Sequence, residues 1–476
     1  MIINVPRPIK SGCTQIFAVS VGCTYKMLLR GLLLLCFSAV ALADLPIHCL
    51  YEEVLGTWTF SETDRVNDHT LNCDALGEIV HVQSFILEYP NTVTDELGNL
   101  GTWTLMYDEG FEVRINERSY FAYFKYDTTA DQSVSYCDQT MNGWSHDLTN
   151  RNWACFSAQK SSAVSPRTMA IKKPSTQRQG LYKNDPKQIE KINSSQKSWW
   201  AKAYPEHEKY TIEEMYKRAG GRPVTRNSFP RPAPITKEQQ AKLDFLPEEF
   251  DWRNIDGVDY VSPVRDQANC GSCYAFGSMG MLEARLRIAT KNQRNDTFST
   301  QDVMTCSTIA QGCDGGFNFL TAGRHTFEQG VVAEECNTYE AIDEKCDTDP
   351  SCSRTYVSDY EYIGGYYGAT NEVEMMHALV NNGPIAVALM MTWDLVNYAG
   401  GIYHNTGIPN EFTPFEETNH AVLAVGYGVD NTTGEKFWTL KNSWGNGWGE
   451  SGYFRIRRGV DENAIESCSV QSFIIP

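Results

Sequence analysis

The chain has 476 residues, 41 Lys plus Arg against 59 Asp plus Glu, a formal net charge of −18 and a pI near 5.0. That balance excludes the basic face a nucleic-acid binder needs. A content of 42% hydrophobic and 12% aromatic residues excludes a disordered chain, and the length allows two or three domains.

Met27 to Arg30 form a short basic start, followed by an apolar stretch, Gly31 to Ala43, that ends Ala41-Leu42-Ala43. This reads as a secretory signal (27–43) with a small-residue cleavage site, too short to span a bilayer. A retained signal anchor is the alternative. Residues 1–26 read as an upstream extension, since Met27 makes the better start. Cleavage after Ala43 would leave Asp44 first. Of 15 cysteines, Cys13, Cys23 and Cys36 precede that point. The rest suit an oxidising compartment. Asn193, Asn295 and Asn431 head N-x-S/T triplets, as in a glycoprotein.

Residues 44–160 read as an antiparallel β domain and a candidate small barrel. Ile79–Val82 and Phe85–Leu87 are strand-like, Phe111, Val113 and Ile115 alternate with polar neighbours, and Tyr120–Tyr126 is dense in aromatics. Turn signals at Leu97-Gly98-Asn99 and Asp108-Glu109-Gly110 separate these runs.

Residues 160–242 hold 18 Lys plus Arg and 7 Asp plus Glu, a net of +11 within an acidic chain. A basic segment of this kind can dock on the remainder and mask it, so 161–245 reads as an activation propeptide. An ordinary basic linker is the alternative. Pro-rich residues 222–234 read as extended. Acidification is expected to weaken the docking by protonating carboxylates on the acidic partner.

Residues 246–476 carry the chemistry. In Gln267-Ala-Asn-Cys270-Gly-Ser-Cys273-Tyr274, Cys273 stands at the start of an apolar helix that buries Phe276, Met279 and Leu286. A helix N-terminus lowers a thiol pKa, and the thiolate is the nucleophile. His420 follows in Thr418-Asn419-His420-Ala421-Val422, 147 residues on, and Asn442 in Lys441-Asn442-Ser443-Trp444-Gly445, 169 residues on. Apolar strands are expected at Ile385–Leu389, Ala421–Val425 and Phe437–Leu440. The set supplies a thiol, an imidazole to carry its proton and an amide to hold that imidazole in one tautomer. A redox or zinc role for Cys270 and Cys273 would need a second C-x-x-C or a histidine pair, and neither accompanies them.

The C-G-S-C-Y string, with His and Asn in that order downstream, resembles the papain-like cysteine peptidases. The resemblance implies an α+β catalytic unit with Cys273 on a helical half and His420 with Asn442 on a β half. It implies Gln267 and the Cys273 N–H as oxyanion donors, and Gly315, Gly316 and Asn419 as substrate-binding residues. A cysteine-bearing β domain ahead of the pro-segment is similar to the dipeptidyl-peptidase branch of that family, in which the barrel stays attached as an exclusion domain. The likeness runs through Leu55-Gly-Thr-Trp58, Phe121-Ala-Tyr-Phe124, Arg151-Asn-Trp153-Ala-Cys155, Gln196-Lys-Ser-Trp199, Val261-Ser-Pro-Val-Arg265, Phe415-Glu-Glu417 and Gly452-Tyr453-Phe454-Arg455.

From that branch come several further expectations. Dipeptides would leave free N-termini through a thioester, with the Asp44 carboxylate holding the substrate ammonium. Disulfides would pair Cys49–Cys137, Cys73–Cys155, Cys270–Cys313, Cys306–Cys346 and Cys336–Cys352. The chain would form a homotetramer, act in a lysosome or secretory granule or outside the cell, require an activating protease and be nicked near 405–414. A chloride ion would lie near the S2 pocket, held by two tyrosine hydroxyls; Tyr362 matches one, but Phe319 stands at the other and offers only its backbone N–H. No metal is expected. Cys468 falls in S2, where the family has an aliphatic residue, and Asn318 borders it. The rival readings are a papain-like endopeptidase that sheds its N-terminal domain and a non-catalytic secreted binding protein.

Overall fold

The computed structural model describes residues 45–129, 131–171, 179–221, 223–412 and 417–476. The expected signal, its cleavage point and Asp44 lie outside them, as do Phe415 and Glu416. The fold is α+β.

The N-terminal domain is built from β1 (Gly56–Thr63), β2 (Ile79–Glu88), β3 (Thr92–Asp95), β4 (Leu100–Met106), β5 (Gly110–Ile115), β6 (Arg118–Thr128), β7 (Gln132–Thr140), β8 (Gly143–Asp147), β9 (Ala154–Lys160) and β10 (Arg167–Ala170). The order β1-β2-β3-β4-β5-β6-β8-β9 returns to β1, so eight antiparallel strands close a barrel. Closure leaves those strands no free edge. Alternation along β1 sends Trp58 and Phe60 inward to pack against Phe111, Phe124, Phe85 and Phe156. The sheet continues past residue 160: β10 pairs with β7, which lies outside the closed ring and has an edge to offer. Cys49–Cys137 and Cys73–Cys155 tie this domain.

The second sheet uses β11 (Trp199–Ala201), β12 (Phe250–Asp251), β13 (Val357–Tyr362), β14 (Ile385–Met391), β15 (Tyr398–Tyr403), β16 (Thr418–Val429), β17 (Lys436–Lys441), β18 (Tyr453–Arg457) and β19 (Ser469–Ile474). Its order is β11-β15-β18-β17-β16-β14-β19-β13, with β12 on β16. One strand of the basic segment, β11, therefore completes an edge of the catalytic sheet. The helix Cys273–Ala289 is apolar on nearly every side, and residues 273–286 are all buried. That is the pattern of a helix enclosed by its neighbours. Gly277 and Gly280 let it close on β16: a Cβ on either would come within 3.5 Å of Val422 or Leu423.

Barrel and catalytic unit meet through a buried ionic network. Arg324, 1% exposed, bonds Glu328 at 2.6 Å and faces Glu112 of the barrel at 3.7 Å. His146 Nε2 of the barrel lies 3.0 Å from Glu328, and Tyr360 donates to Glu112 at 2.8 Å. Arg114 of the barrel pairs with Asp359 at 2.6 Å, and the Arg324 guanidinium covers the Phe121 ring at 4.7 Å.

Candidate active site

Cys273 opens the long helix; His420 and Asn442 come from neighbouring positions on and just after β16 and β17. All three are buried, as is Gln267. His420 Nε2 lies 2.9 Å from Asn442 Oδ1, which fixes the imidazole and leaves Nδ1, buried and without a hydrogen-bond partner, for the thiol proton. The backbone N–H groups of Ala421, the residue after His420, and of Tyr274 and Cys273 itself favour the thiolate. Trp444 covers the imidazole with ring centres 5.6 Å apart.

Gln267 is held on three sides. Its N–H donates to Ser443 O (2.9 Å), its Oε1 accepts from Ser443 Oγ (2.6 Å) and its Nε2 donates to Cys270 O (2.8 Å). One Nε2 hydrogen remains for an oxyanion, beside the Cys273 N–H. Ser443 and Tyr339, whose hydroxyl reaches Gln267 O at 2.8 Å and Ser272 Oγ at 2.7 Å, do this positioning. Neither was singled out from the sequence: adjacency to Asn442 could have flagged Ser443, but nothing local flags Tyr339. Beneath Asn442, buried Lys441 donates to Ser262, which donates to Glu283. Burial pushes the Lys441 ammonium down to about 8.

The disulfide Cys270–Cys313 and the bond from Gly271 N to Cys313 O (2.9 Å) fasten the loop before the nucleophile. Gly315 and Gly316 thereby line one cavity with Cys273, Asn318 and Asn419. Cys306–Cys346 and Cys336–Cys352 close the remaining loops. Cys468 is buried and unbridged. Asn193, Asn295 and Asn431 are exposed.

That cavity is covered from the basic segment. Gly220 lies on the Asn419 carbonyl so closely that a Cβ there would overlap it. The chain continues along β16, with Thr418 Oγ1 donating to Ala219 O (2.5 Å) and Val224 N to Glu417 O (2.8 Å). Ion pairs run from this segment to the catalytic unit: Lys217–Asp314 (2.7 Å), Arg218–Asp266 (2.6 Å), Lys242–Glu374 (2.9 Å) and Arg226–Asp461. Arg218 also donates to Trp444 O, and Trp444 Nε1 to Arg218 O, both at 3.2 Å.

The cover corrects one expectation. The helix terminus was to lower the Cys273 pKa; instead burial pushes the thiol up to about 11, outweighing its three backbone donors. Burial, with the Arg218 cation nearby, holds His420 down to about 4 despite the Asn442 bond. Both partners are neutral here. Water must reach the pair before a thiolate forms.

Of the two phenols expected around a chloride, the chain supplies Tyr362. The Phe319 ring stacks on Tyr362 at 4.4 Å and 7°, putting carbon where a second hydroxyl is required. These residues do not fit a two-phenol chloride site, and no step below depends on one.

The papain family cysteine protease model matches residues 246–475, and the cathepsin C exclusion domain model matches 44–160. Cathepsin C of Schistosoma mansoni is 40% identical over 439 residues, covering 90% of this chain and 95% of that protein. Cathepsin Z of Onchocerca volvulus is 35% identical over 52% of this chain and 80% of its own. Among solved structures, digestive procathepsin L 3 of Tenebrio molitor is 30% identical with a TM-score of 0.48, covering 60% of this chain and 86% of its own.

Proposed function

This chain belongs to the papain family of cysteine peptidases, with a cathepsin C exclusion domain ahead of its catalytic unit, and from that premise we infer that it removes dipeptides successively from free N-termini. Its substrates are peptides or proteins. Cys273 attacks the scissile carbonyl, passing its proton to His420 Nδ1, and the oxyanion is met by Gln267 Nε2 and the Cys273 N–H. His420 returns the proton to the leaving amine; water, deprotonated by the same imidazole, then hydrolyses the thioester. The barrel limits the acyl portion to two residues, and Asp44 pairs with the substrate ammonium. The observation that carries this reading is the barrel docked by buried charges, with its Tyr107 lining the cavity that holds Cys273. A homotetramer and a lysosomal or granule location accompany the reading.

The direct test compares a fluorogenic dipeptide amide with its N-acetylated copy on the matured enzyme. The free amine is expected to be cleaved at least about 100-fold faster, a difference of about 2.7 kcal/mol for a carboxylate left without its ammonium partner. Asp44→Ala should remove most of that gap. Equal cleavage of both substrates by the native enzyme would instead mean an open cleft and an endopeptidase.

On the same reading the basic segment is the activation peptide, and His207 makes its release acid-dependent. The ring is 1% exposed, packed against Tyr182, Tyr204 and Trp444, the ring that covers His420, and its Nδ1 has no hydrogen-bond partner. Burial, reinforced by Arg218 and Lys209 and opposed by Asp266, lowers it to about 3 from the ordinary 6.5. Docking thus has full strength above pH 6.5 and weakens as pH falls toward 3, by about 1.4 kcal/mol per unit. Near pH 4.5 the loss is on the order of 3 kcal/mol. His207→Phe should flatten the dependence of segment dissociation on pH between 6.5 and 4.5, measured with the peptidase alkylated. An unchanged slope would exclude His207 as its source.

A further inference from the structure

Arg218 of the covering segment is 2% exposed, and its guanidinium sits among acceptors supplied by the catalytic unit. One terminal nitrogen donates to Asp266 Oδ1 and to Ala268 O, both at 2.6 Å, and the other to Trp444 O at 3.2 Å. The Trp444 ring lies against the cation at 5.2 Å, and Tyr210 of the segment at 5.4 Å.

The catalytic unit holds these acceptors by its own bonds. Gln267 N donates to Ser443 O (2.9 Å) and Gly445 N to Arg265 O (3.1 Å), which keeps Asp266 paired beside Trp444. Ala268 takes φ near 53°, uncommon for a residue with a side chain, and its N–H donates to Asp266 Oδ1 at 3.0 Å. None of these bonds involves the segment. Its departure therefore leaves a carboxylate and two carbonyls in place without the cation they hold here.

Their position in the cleft follows from the chemistry. His420 returns its proton to the leaving amine, and Trp444 covers His420, so the leaving peptide runs past this ring. Lys217, the chain neighbour of Arg218, instead reaches Asp314, next to Gly315 in the wall of the Cys273 cavity.

We propose that Asp266, with the Ala268 and Trp444 carbonyls, binds an arginine or lysine side chain of the leaving peptide, and that Arg218 occupies this site in the covered form. The enzyme then favours substrates that are cationic just after the scissile bond. Arginine fits best, because its separated nitrogens reach acceptors on two different loops at once. This deepens the peptidase reading above and holds whatever the length of the acyl portion.

The test uses peptides that share one N-terminal dipeptide and carry arginine, citrulline or glutamate at the first or second position after the scissile bond. Citrulline keeps the shape of arginine without its charge. Initial rates of the first cleavage by the matured enzyme should give arginine a kcat/KM about tenfold above citrulline at one of the two positions, the order of one charge-assisted hydrogen bond. Glutamate there should fall below citrulline. Asp266→Asn should bring the arginine-to-citrulline ratio to within twofold of one; a ratio taken within one variant cancels any change at the neighbouring Gln267. A native ratio within twofold of one at both positions would overturn the proposal without recourse to any variant. A native preference that survives in Asp266→Asn would overturn the assignment to Asp266. Cleavage of N-acetylated copies by the native enzyme would refute the dipeptidyl reading separately, since it does not bear on the leaving side.

Discussion

Cys273→Ser lowers kcat/KM by about 10⁶-fold, the loss seen when the nucleophile is removed from a catalytic triad. The geometry around position 273 explains the size of the effect. The hydroxyl would occupy the same helix terminus and meet the same N–H groups, but His420 would have to deprotonate a far weaker acid. Burial already holds that imidazole down to about 4 in the covered form, so it is a poor base until the segment leaves. Folding should be unaffected, because serine replaces one sulfur atom in a helix otherwise packed through Phe276, Met279 and Leu286. Steady-state kinetics on matured protein checks this, together with titration of accessible thiols. Cys468 is the one other unbridged cysteine among the described residues. Activity retained in the serine variant and abolished by Cys468→Ala would move the nucleophile and refute the assignment.

Arg324→Ala should release the barrel once the covering segment is cut away. The substitution takes from Glu328 its 2.6 Å partner and removes the cation that faces Glu112 across the domain boundary at 3.7 Å, and breaking a buried ion pair from one side costs about 3–5 kcal/mol. Neighbouring contacts only partly offset that loss: Arg114 and Tyr360 still hold Glu112, Arg114 still pairs with Asp359, and His146 still faces Glu328. The native protein should elute as one species after proteolysis of the segment, and the variant as two. Freed of its barrel, the variant should also begin to cleave N-acetylated substrates. Co-elution of barrel and catalytic unit in the variant, with acetylated substrates still refused, would show that the apolar contacts suffice and the ionic network does not hold the domains together.

The candidate site was legible in the sequence where chemistry depends on local order. A thiol at a helix start, a histidine before an apolar run and an asparagine ahead of Ser-Trp-Gly specify their elements through periodicity and capping, which act over a few residues. Six of the strands, β2, β5, β6, β14, β16 and β17, were legible for the same reason. Their registers were not, because pairing is decided between segments far apart in the chain. Asp44 shows the opposite limit: its role is read from its place after a cleavage site, outside the described residues.

By itself, then, the amino-acid order determined the α+β class, the identities of Cys273, His420, Asn442 and Gln267, and a basic segment within an acidic chain. The tertiary structure alone decided what each of these meets. It closed eight strands into a barrel, set Arg324 between two glutamates from different domains and brought Tyr107 into one apolar cluster with Cys468 across 361 positions of chain. It also reversed the expected acidity of Cys273. A thiol pKa depends on solvent access as well as on the helix it begins, and solvent access is set by Gly220 and its neighbours, which lie more than fifty residues upstream in the chain and directly over the site in space.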